Sequence, residues 1–422
     1  MRRGSETSRA RGRPRFKGQD GTKPPPIASE GTVIATVDVR QAVRELEPMI
    51  RRHADAAERE RKMAPEVMSA LVDSGLLRMW VPTALGGLQV DPNETLEVIE
   101  ALSNIDPSTG WVVSNCVFSS TACQFLPADV AADLLGDPGA VICGSFVPPG
   151  TARSAGGGLL ISGRWTFGSA AHYATTLGVL TLLTDDDGLV MGADGAPTSV
   201  VAYVDPKQAT LLDTWHTLGL RATGSTDFTL DALHVPTDHT FVLGAWEPPE
   251  GPFDAPLYRM GLMIDAVRIA QVGVGIAQGA LDEFVELAST KTPAYTATLT
   301  ADRATVQERV ARAQALIQAG RSSLRTTVSD AWQTVQEGPR ITGPACVPMG
   351  LAASFALDAS VQAVDLLYQS AGTTAFRDES PLQKRFRDLQ TLRQNAIASW
   401  SRYESLGKLI LGRPSDWPLH HL

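Results

Sequence analysis

The chain has 422 residues, of which 43% are hydrophobic and 20% are charged, as expected for a globular protein with a sizeable core. Its 37 Lys and Arg against 46 Asp and Glu give a net charge of −9, which argues against nucleic-acid binding. Four cysteines without a C-x-x-C pair argue against a disulfide scaffold and a metal site, and no apolar run reaches the roughly 20 residues of a membrane span. We therefore expect a soluble, cytoplasmic enzyme that binds no metal, nucleic acid or membrane.

Residues 1–37 have the composition of a disordered tail, with many Arg residues, three consecutive Pro residues and few large apolar side chains. The tail lacks the apolar segment of a secretory signal. Its Arg and Ser content also resembles a transit peptide, but we interpret it as a dispensable extension.

Residues 38–139 show the periodicity of α-helices, with apolar side chains four residues apart at Ala42, Leu46 and Ile50. Asp-Pro pairs at residues 91–92 and 106–107 are typical of helix starts, because Asp caps the first turn and Pro is tolerated within it. These signals predict an N-terminal helical domain.

Residues 140–245 change to short β-rich runs separated by Gly and Asp clusters, which include hairpin-turn signals at residues 156–158 and 185–188. Helical periodicity returns in residues 246–415, where four long helices are predicted. The predicted fold is therefore α+β and multidomain, with an N-terminal helical domain, a middle β-barrel-like domain and a C-terminal four-helix bundle.

Four local runs carry a resemblance to the acyl-CoA dehydrogenase superfamily of flavoenzymes, which covers roughly residues 40–410. The most specific of them is the run at residues 215–225, which combines many residue types at fixed spacing. The runs are GLLRMWVP at 75–82 followed by Gly86-Gly87, GRWTFGS at 163–169, WHTLGLRATGS at 215–225, and Gln369-x-x-Gly372 followed by Arg387-Asp388.

The resemblance implies that FAD or FMN lies where the middle domain faces the C-terminal helices. In the β unit, an aromatic residue would supply an apolar wall for the flavin ring and a hydroxyl residue would form hydrogen bonds with it. The loop at residues 215–225 would contact a phosphate of the cofactor. The end of the bundle would cover the cofactor of a neighbouring subunit. The implied cofactor-binding residues are Trp165, Phe167, Ser169, Arg221, Thr223, Ser225, Gln369 and Gly372. The resemblance also implies a homotetramer, or at least a dimer. Arg221 is equally consistent with a surface ion pair, and Gly372 with a helix C-cap.

Two branches of the superfamily imply different chemistry. Dehydrogenases use a carboxylate base, and Glu379 falls at that position, although it also resembles a solvated charge beside a helix start. Two-component monooxygenases take reduced flavin from a separate reductase and oxygenate a small molecule through a flavin C4a-hydroperoxide. Residues 162–169 and 306–315 resemble the monooxygenases, and residues 289–294 lack the Arg-x-x-Phe-Gly run that is usual in dehydrogenases.

The chain departs from the monooxygenases at two positions where they often carry histidine, since Ser119 and Asn395 stand there. Histidine can hold or transfer a proton in such a site, whereas serine and asparagine do not titrate near neutral pH. Our candidate catalytic residues are Ser119, Ser169, His172, Glu379 and Asn395.

Three functions remain open from the sequence. We favour a reduced-flavin-dependent monooxygenase that uses molecular oxygen, a flavin reductase and a small organic substrate. The alternatives are α,β-dehydrogenation with Glu379 as the base and a non-catalytic family member that binds flavin or a partner.

Overall fold

A computed structural model describes residues 37–192, 195–244, 251–417 and 420. All but the last residue of the predicted tail at 1–37 lie outside this range. The described chain consists of a group of helices, then a sheet, then a second group of helices. This order confirms the predicted fold class.

The N-terminal helices begin where the sequence places their caps. The carboxylate of Asp91 accepts a hydrogen bond from the Asn93 amide at 2.8 Å, and that of Asp106 accepts one from the Thr109 amide at 2.8 Å. Both caps precede a proline in the first turn. The helices are α1 (Val39–Glu60), α2 (Pro65–Asp73), α3 (Pro92–Ile105), α4 (Pro107–Thr121) and α5 (Ala128–Leu135).

The middle unit is a single eight-stranded sheet. Its strands are β1 (Ile142–Ala155), β2 (Gly158–Gly168), β3 (Thr176–Asp185), β4 (Gly188–Leu189), β5 (Ser199–Val204), β6 (Thr210–Leu212), β7 (Thr226–Pro236) and β8 (Thr240–Val242). The strand order is β6-β7-β2-β1-β3-β5-β8, with β4 paired to β3. Only β1 and β3 pair in parallel among the described strands.

Both hairpin signals lie at turns. Ala155 pairs with Gly158, and the two glycines between them have φ values of 49° and 82°, as a two-residue turn of the I′ type requires. Asp185 pairs with Gly188 across the second turn, where Gly188 has a φ of 118°. These local predictions are confirmed.

The C-terminal unit is formed by α6 (Ile264–Thr290), α7 (Ala304–Glu337), α8 (Val347–Ala371), α9 (Pro381–Leu392) and α10 (Arg402–Ile410). The first four are the predicted helices, and they pack together as a bundle. The short α10 is a further helix that was not predicted, and it packs on α8. Helix α6 is buried along most of its length and also contacts α3 and α4. It therefore joins the two helical groups.

One stretch of the described chain, Gly343–Thr374, is long and apolar enough to cross a membrane by length and composition. Within its most apolar window, 61% of the residues are buried inside the protein. That burial is typical of a core helix.

Candidate active site

A cavity of about 930 Å³ lies where α4, β1, the loop at residues 215–225, α6 and the end of α9 meet. Its walls are mostly apolar. Four large apolar side chains at its wall are strongly exposed, namely Phe146 at 43%, Val147 at 56%, Phe167 at 59% and Leu218 at 58%. Exposed apolar surface that lines a concave site is typical of a ligand pocket.

The aromatic wall comes from β2 and from the loop at residues 215–225. The pairing of β2 with β7 shifts between Trp165 and Gly168, which turns Phe167 out of the sheet with a φ of 64°. Its ring meets the ring of Trp215 edge to face at 6.3 Å. Trp165 points the other way. It is fully buried, stacks on Phe228 at 5.6 Å and does not line the cavity.

Three hydroxyl groups form a polar strip on the same wall. Ser169 Oγ lies 2.7 Å from Ser225 Oγ, which lies 2.7 Å from Thr223 Oγ1. The Trp111 indole donates to Ser169 at 2.9 Å, and Thr223 donates to the Leu220 carbonyl at 2.8 Å. All three hydroxyl residues are buried and line the cavity, as the sequence predicts for a common site.

The loop that carries Thr223 and Ser225 is held by α9. The Leu220 amide donates to the buried carboxylate of Asp388 at 2.6 Å, and Leu220 has a φ of 51°. Gly219 packs so closely on the α9 backbone that a Cβ there would lie 2.3 Å from the Arg387 carbonyl oxygen. The loop geometry therefore depends on the Arg387-Asp388 pair.

The Asp388 carboxylate belongs to a buried charge network. Lys384 donates to it at 2.9 Å and to Asp106 at 3.0 Å. Burial alone would raise the pKa of Asp106, but Lys384 and the Thr109 hydrogen bonds lower it below its ordinary value. Burial likewise opposes the charge of Lys384, yet the two carboxylates raise its pKa. Asp106 and Lys384 are therefore both charged at neutral pH.

The α6 wall contributes an ion pair that the sequence did not single out. Asp265 and Arg268 are both buried, lie one turn apart and form a salt bridge. Arg268 also donates to Ser114 at 3.1 Å and lies over the Phe118 ring at 4.9 Å. Burial raises the pKa of Asp265 although Arg268 opposes this shift. Two opposite charges three residues apart at the start of α6, whose next 13 residues carry no charge, were the available signal.

The helical side of the cavity holds two of the candidate catalytic residues. Ser119 on α4 and Asn395 after α9 both line it. The Asn395 side-chain oxygen accepts from the Ile397 amide at 2.9 Å, and its NH2 group has no hydrogen-bond partner among the described residues, so it is available to a ligand.

The other two candidate catalytic residues lie away from the cavity. His172 is an exposed residue near Gly224, outside the lining, and partial desolvation of its ring together with Lys62 lowers its pKa. Glu379 is exposed before α9 and does not line the cavity of its own chain.

Three candidate cofactor residues also lie outside this lining. Arg221 lies 4.0 Å from Glu58 at the edge of the loop. Gln369 and Gly372 are exposed near the end of α8, where Lys291 donates to the Thr374 hydroxyl at 2.6 Å. Gly372 has a φ of 59° and follows the last residue of α8, as a helix C-cap does.

The cavity suits a flavin ring in both shape and chemistry. A planar tricyclic ring needs an apolar face and a polar edge, which Phe167 and the hydroxyl strip supply from one wall.

The four cysteines are free and buried, and Cys143 lines this cavity. Burial raises the pKa of the Cys116 and Cys123 thiols to about 12 and that of Cys143 well above its ordinary value.

Comparison with known proteins agrees with this geometry. Residues 36–126 match the acyl-CoA dehydrogenase N-terminal domain, and residues 267–400 match the acyl-CoA dehydrogenase C-terminal domain. An indole-3-acetate monooxygenase of Pseudomonas putida is 30% identical over 358 residues, which cover 84% of this chain and 89% of the relative. The oxygenase component of an FADH2-dependent resorcinol hydroxylase from a Rhizobium species is 28% identical over 382 residues, or 86% and 91% of the two chains.

Solved structures give the same result. XiaF from a Streptomyces species, in complex with FADH2 and glycerol, matches with a TM-score of 0.82 and 26% identity, over 90% of this chain and 97% of that one. The HsaA monooxygenase of M. tuberculosis matches with a TM-score of 0.81 and 27% identity, over 90% and 98%. The prediction of a flavin-dependent oxidoreductase of the monooxygenase type is thereby confirmed. The chain belongs to the acyl-CoA dehydrogenase superfamily, within its branch of flavin-dependent monooxygenases.

Proposed function

We propose that this chain is the oxygenase component of a two-component system. It takes reduced FMN or FAD from a separate flavin reductase and adds one atom of dioxygen to a small aromatic substrate. The observation that carries the proposal is the cavity of about 930 Å³, in which an exposed aromatic face and a buried hydroxyl strip share one wall.

We expect one wall of the cavity to bind the flavin and the opposite wall to orient the substrate. The bound flavin supplies the electrons that activate dioxygen. Phe167 and Trp215 hold the ring by apolar contact, and the surrounding apolar lining excludes water from it. On the opposite side, Ser119 and the free NH2 of Asn395 orient the substrate by hydrogen bonds.

The charges at the cavity favour an uncharged substrate. Arg268 is the buried cation of the lining, and its charge is already compensated by Asp265. An anionic group brought beside this pair would lose its hydration without gaining an unpaired cation. We therefore expect neutral aromatic molecules to be better substrates than their carboxylated analogues.

Labelled oxygen tests the proposal directly. The protein is loaded anaerobically with reduced FMN or reduced FAD, mixed with indole, indole-3-acetate or resorcinol, and exposed to ¹⁸O₂. We expect one ¹⁸O atom in the product from at least one of these aromatics, with indole oxygenated faster than indole-3-acetate. Reduction of bound oxidised flavin by an acyl thioester would instead support the dehydrogenase alternative, and absence of flavin binding would contradict both.

We also propose that the chain acts in the cytoplasm as a homotetramer. Apolar side chains are strongly exposed on the C-terminal unit, at Phe376, Trp400, Ile410 and Leu411. Burial of such a surface against further copies would be favourable. Light scattering should give four times the chain mass, and Trp400→Glu should lower the mass. A monomeric wild-type protein would contradict this assembly.

A further inference from the structure

One carboxylate lines the cavity, that of Asp265 on α6, and the described residues place no other carboxylate in the lining. Asp265 is 5% exposed and lies in the first turn of the helix, where the helix dipole favours a negative charge. A buried carboxylate needs hydrogen-bond donors or a cation to replace the water that it has lost. Its partners in the chain therefore decide what it can offer to a ligand.

The Asp265 carboxylate has a single partner of this kind, the guanidinium of Arg268 one turn further along α6. Among the described residues, no other side chain and no backbone amide donates to either of its oxygens. An ionised carboxylate can accept about four hydrogen bonds. Most of the accepting capacity of Asp265 is therefore unused.

The Arg268 guanidinium, by contrast, is directed at α4. It donates to Ser114 Oγ at 3.1 Å, and its Nε atom is buried. Its charge lies over the rings of Trp111 at 5.7 Å and Phe118 at 4.9 Å. The ion pair therefore presents to the cavity an acceptor from Asp265 rather than a donor from Arg268.

This acceptor is incompletely solvated. Burial raises the pKa of Asp265 although Arg268 opposes the shift, so the ion pair does not fully replace the hydration that the carboxylate has lost. A ligand that brings an O–H or N–H group would supply one of the missing hydrogen bonds. A ligand that brings a lone pair to the same place would be repelled by the carboxylate.

We propose that Asp265 is a specificity-determining residue that accepts a hydrogen bond from an O–H or N–H group of the aromatic substrate. This role rests on the proposed function, which places such a substrate in the cavity. The same carboxylate compensates the charge of Arg268 and so disfavours substrates that carry a carboxylate of their own. The substrate class is thereby narrowed to neutral aromatics with a hydrogen-bond donor, such as phenols and N–H heterocycles.

The first test uses the wild-type protein with reduced FMN or reduced FAD bound under anaerobic conditions. Equilibrium dialysis measures the dissociation constants of two matched pairs, indole against benzofuran and resorcinol against 1,3-difluorobenzene. In each pair the second molecule keeps the shape of the first but has oxygen or fluorine in place of the donor. We expect the donor member of at least one pair to bind about ten- to a hundred-fold more tightly, as for a hydrogen bond to a charged group.

Asp265→Asn tests whether this preference comes from the carboxylate. The amide keeps the shape of the side chain, but it is a weaker, neutral acceptor and leaves the charge of Arg268 uncompensated. We expect the preference for the donor member to fall to within about threefold, and the ratio of the indole to the indole-3-acetate dissociation constant to rise about tenfold. Gln394→Met, which removes an uncharged polar group from the same lining, is the control and should keep both wild-type values.

Equal binding within both pairs in the wild type would overturn this role of Asp265, even if Asp265→Asn does not fold, and would leave the proposed oxygenation intact. A preference that persists in folded Asp265→Asn, or that falls equally in Gln394→Met, would overturn it as well, because another acceptor would then be responsible. If none of the four aromatics binds to the protein with reduced flavin, both this role and the proposed function are contradicted.

Discussion

Several residues with strained backbone conformations lie near the hydroxyl strip of the cavity. Seven residues other than glycine have a positive φ in the part of the chain that the structure describes. Of these, Phe167 and Leu220 line the cavity, and Ala170 follows the lining residue Ser169. Each such conformation costs about 1–2 kcal/mol. The cost is offset by hydrogen bonds, since the Ala170 amide donates to the Thr223 carbonyl at 3.1 Å. Strain of this kind is typical of functional sites.

Gly219 offers a direct test of how tightly the loop is held. In Gly219→Ala the new methyl would lie 2.3 Å from the Arg387 carbonyl oxygen, so the loop must move away from α9. We expect the unfolding free energy to fall by about 1–3 kcal/mol and reduced-flavin binding to weaken at least tenfold. Urea denaturation and anaerobic titration measure the two effects.

The matched control is Gly407→Ala on α10. No atom lies within 4 Å of the added methyl, so stability should rise slightly, as expected for alanine in a helix. Unchanged flavin binding in Gly219→Ala would show that the loop geometry does not depend on this contact.

Glu379 separates oxygenation from dehydrogenation. The side chain is exposed and lies outside the cavity of its own chain, so Glu379→Gln should leave the rate of substrate oxygenation within about twofold of the wild type. Asp378→Asn, which removes the adjacent exposed carboxylate, is the control. Loss of nearly all activity in Glu379→Gln alone would favour a base role in a neighbouring subunit's site.

At the scale of elements, the buried charge network joins four parts of the chain. Lys384 of α9 links the N-cap of α4 to Asp388, which holds the loop at Leu220, while Arg387 of α9 pairs with Glu58 of α1 at 3.0 Å. Removing one partner of a buried pair leaves an uncompensated charge, which is more costly than the pair itself is stabilising.

Lys384→Met should therefore lower the unfolding free energy by about 3–5 kcal/mol near pH 8. Asp106 has a lower pKa in the folded wild type than an ordinary Asp, so its charge stabilises the fold at pH values above the ordinary Asp pKa. This contribution is lost as the pH falls through the pKa of Asp106 in the folded state. In the variant Asp106 loses the cation that lowers its pKa, so the pKa of this buried carboxyl rises and its protonation relieves the cost. The stability gap between variant and wild type should narrow from pH 8 to pH 5.

Lys408→Met is the control for this titration. Lys408 forms exposed ion pairs with Asp416 and Glu404, which are screened by solvent, so its removal should change stability little at either pH. If the difference in unfolding free energy between the wild type and Lys384→Met does not depend on pH, the destabilisation comes from lost packing rather than from uncompensated charge.

Elements with local signals were predictable from the sequence. The helix starts at Asp91 and Asp106 and the glycine turn between β1 and β2 follow from residues within four positions of one another. The network could not be predicted in this way, since Lys384 and Asp106 are 278 residues apart. The Asp265–Arg268 pair has a local spacing but faces the cavity only because α6 packs against α4.

The whole molecule assembles its cavity from all three units. The wall with the hydroxyl strip comes from the sheet unit, whereas Ser119 and Asn395 come from the helical units. The runs that carry the family resemblance predicted the fold and placed Phe167, Ser169, Thr223 and Ser225 at one site. The substrate could not be predicted, because its pocket is shaped by side chains that are distant in sequence and carry no motif.

The buried thiols have a consequence for the lifetime of such an enzyme. Oxygen-activating proteins release some hydrogen peroxide, which attacks cysteine in its thiolate form. With pKa values of about 12 for Cys116 and Cys123 and a strongly raised pKa for Cys143, these sulfur atoms remain protonated at neutral pH. We therefore expect hydrogen peroxide to oxidise these thiols slowly, even at Cys143, which borders the cavity.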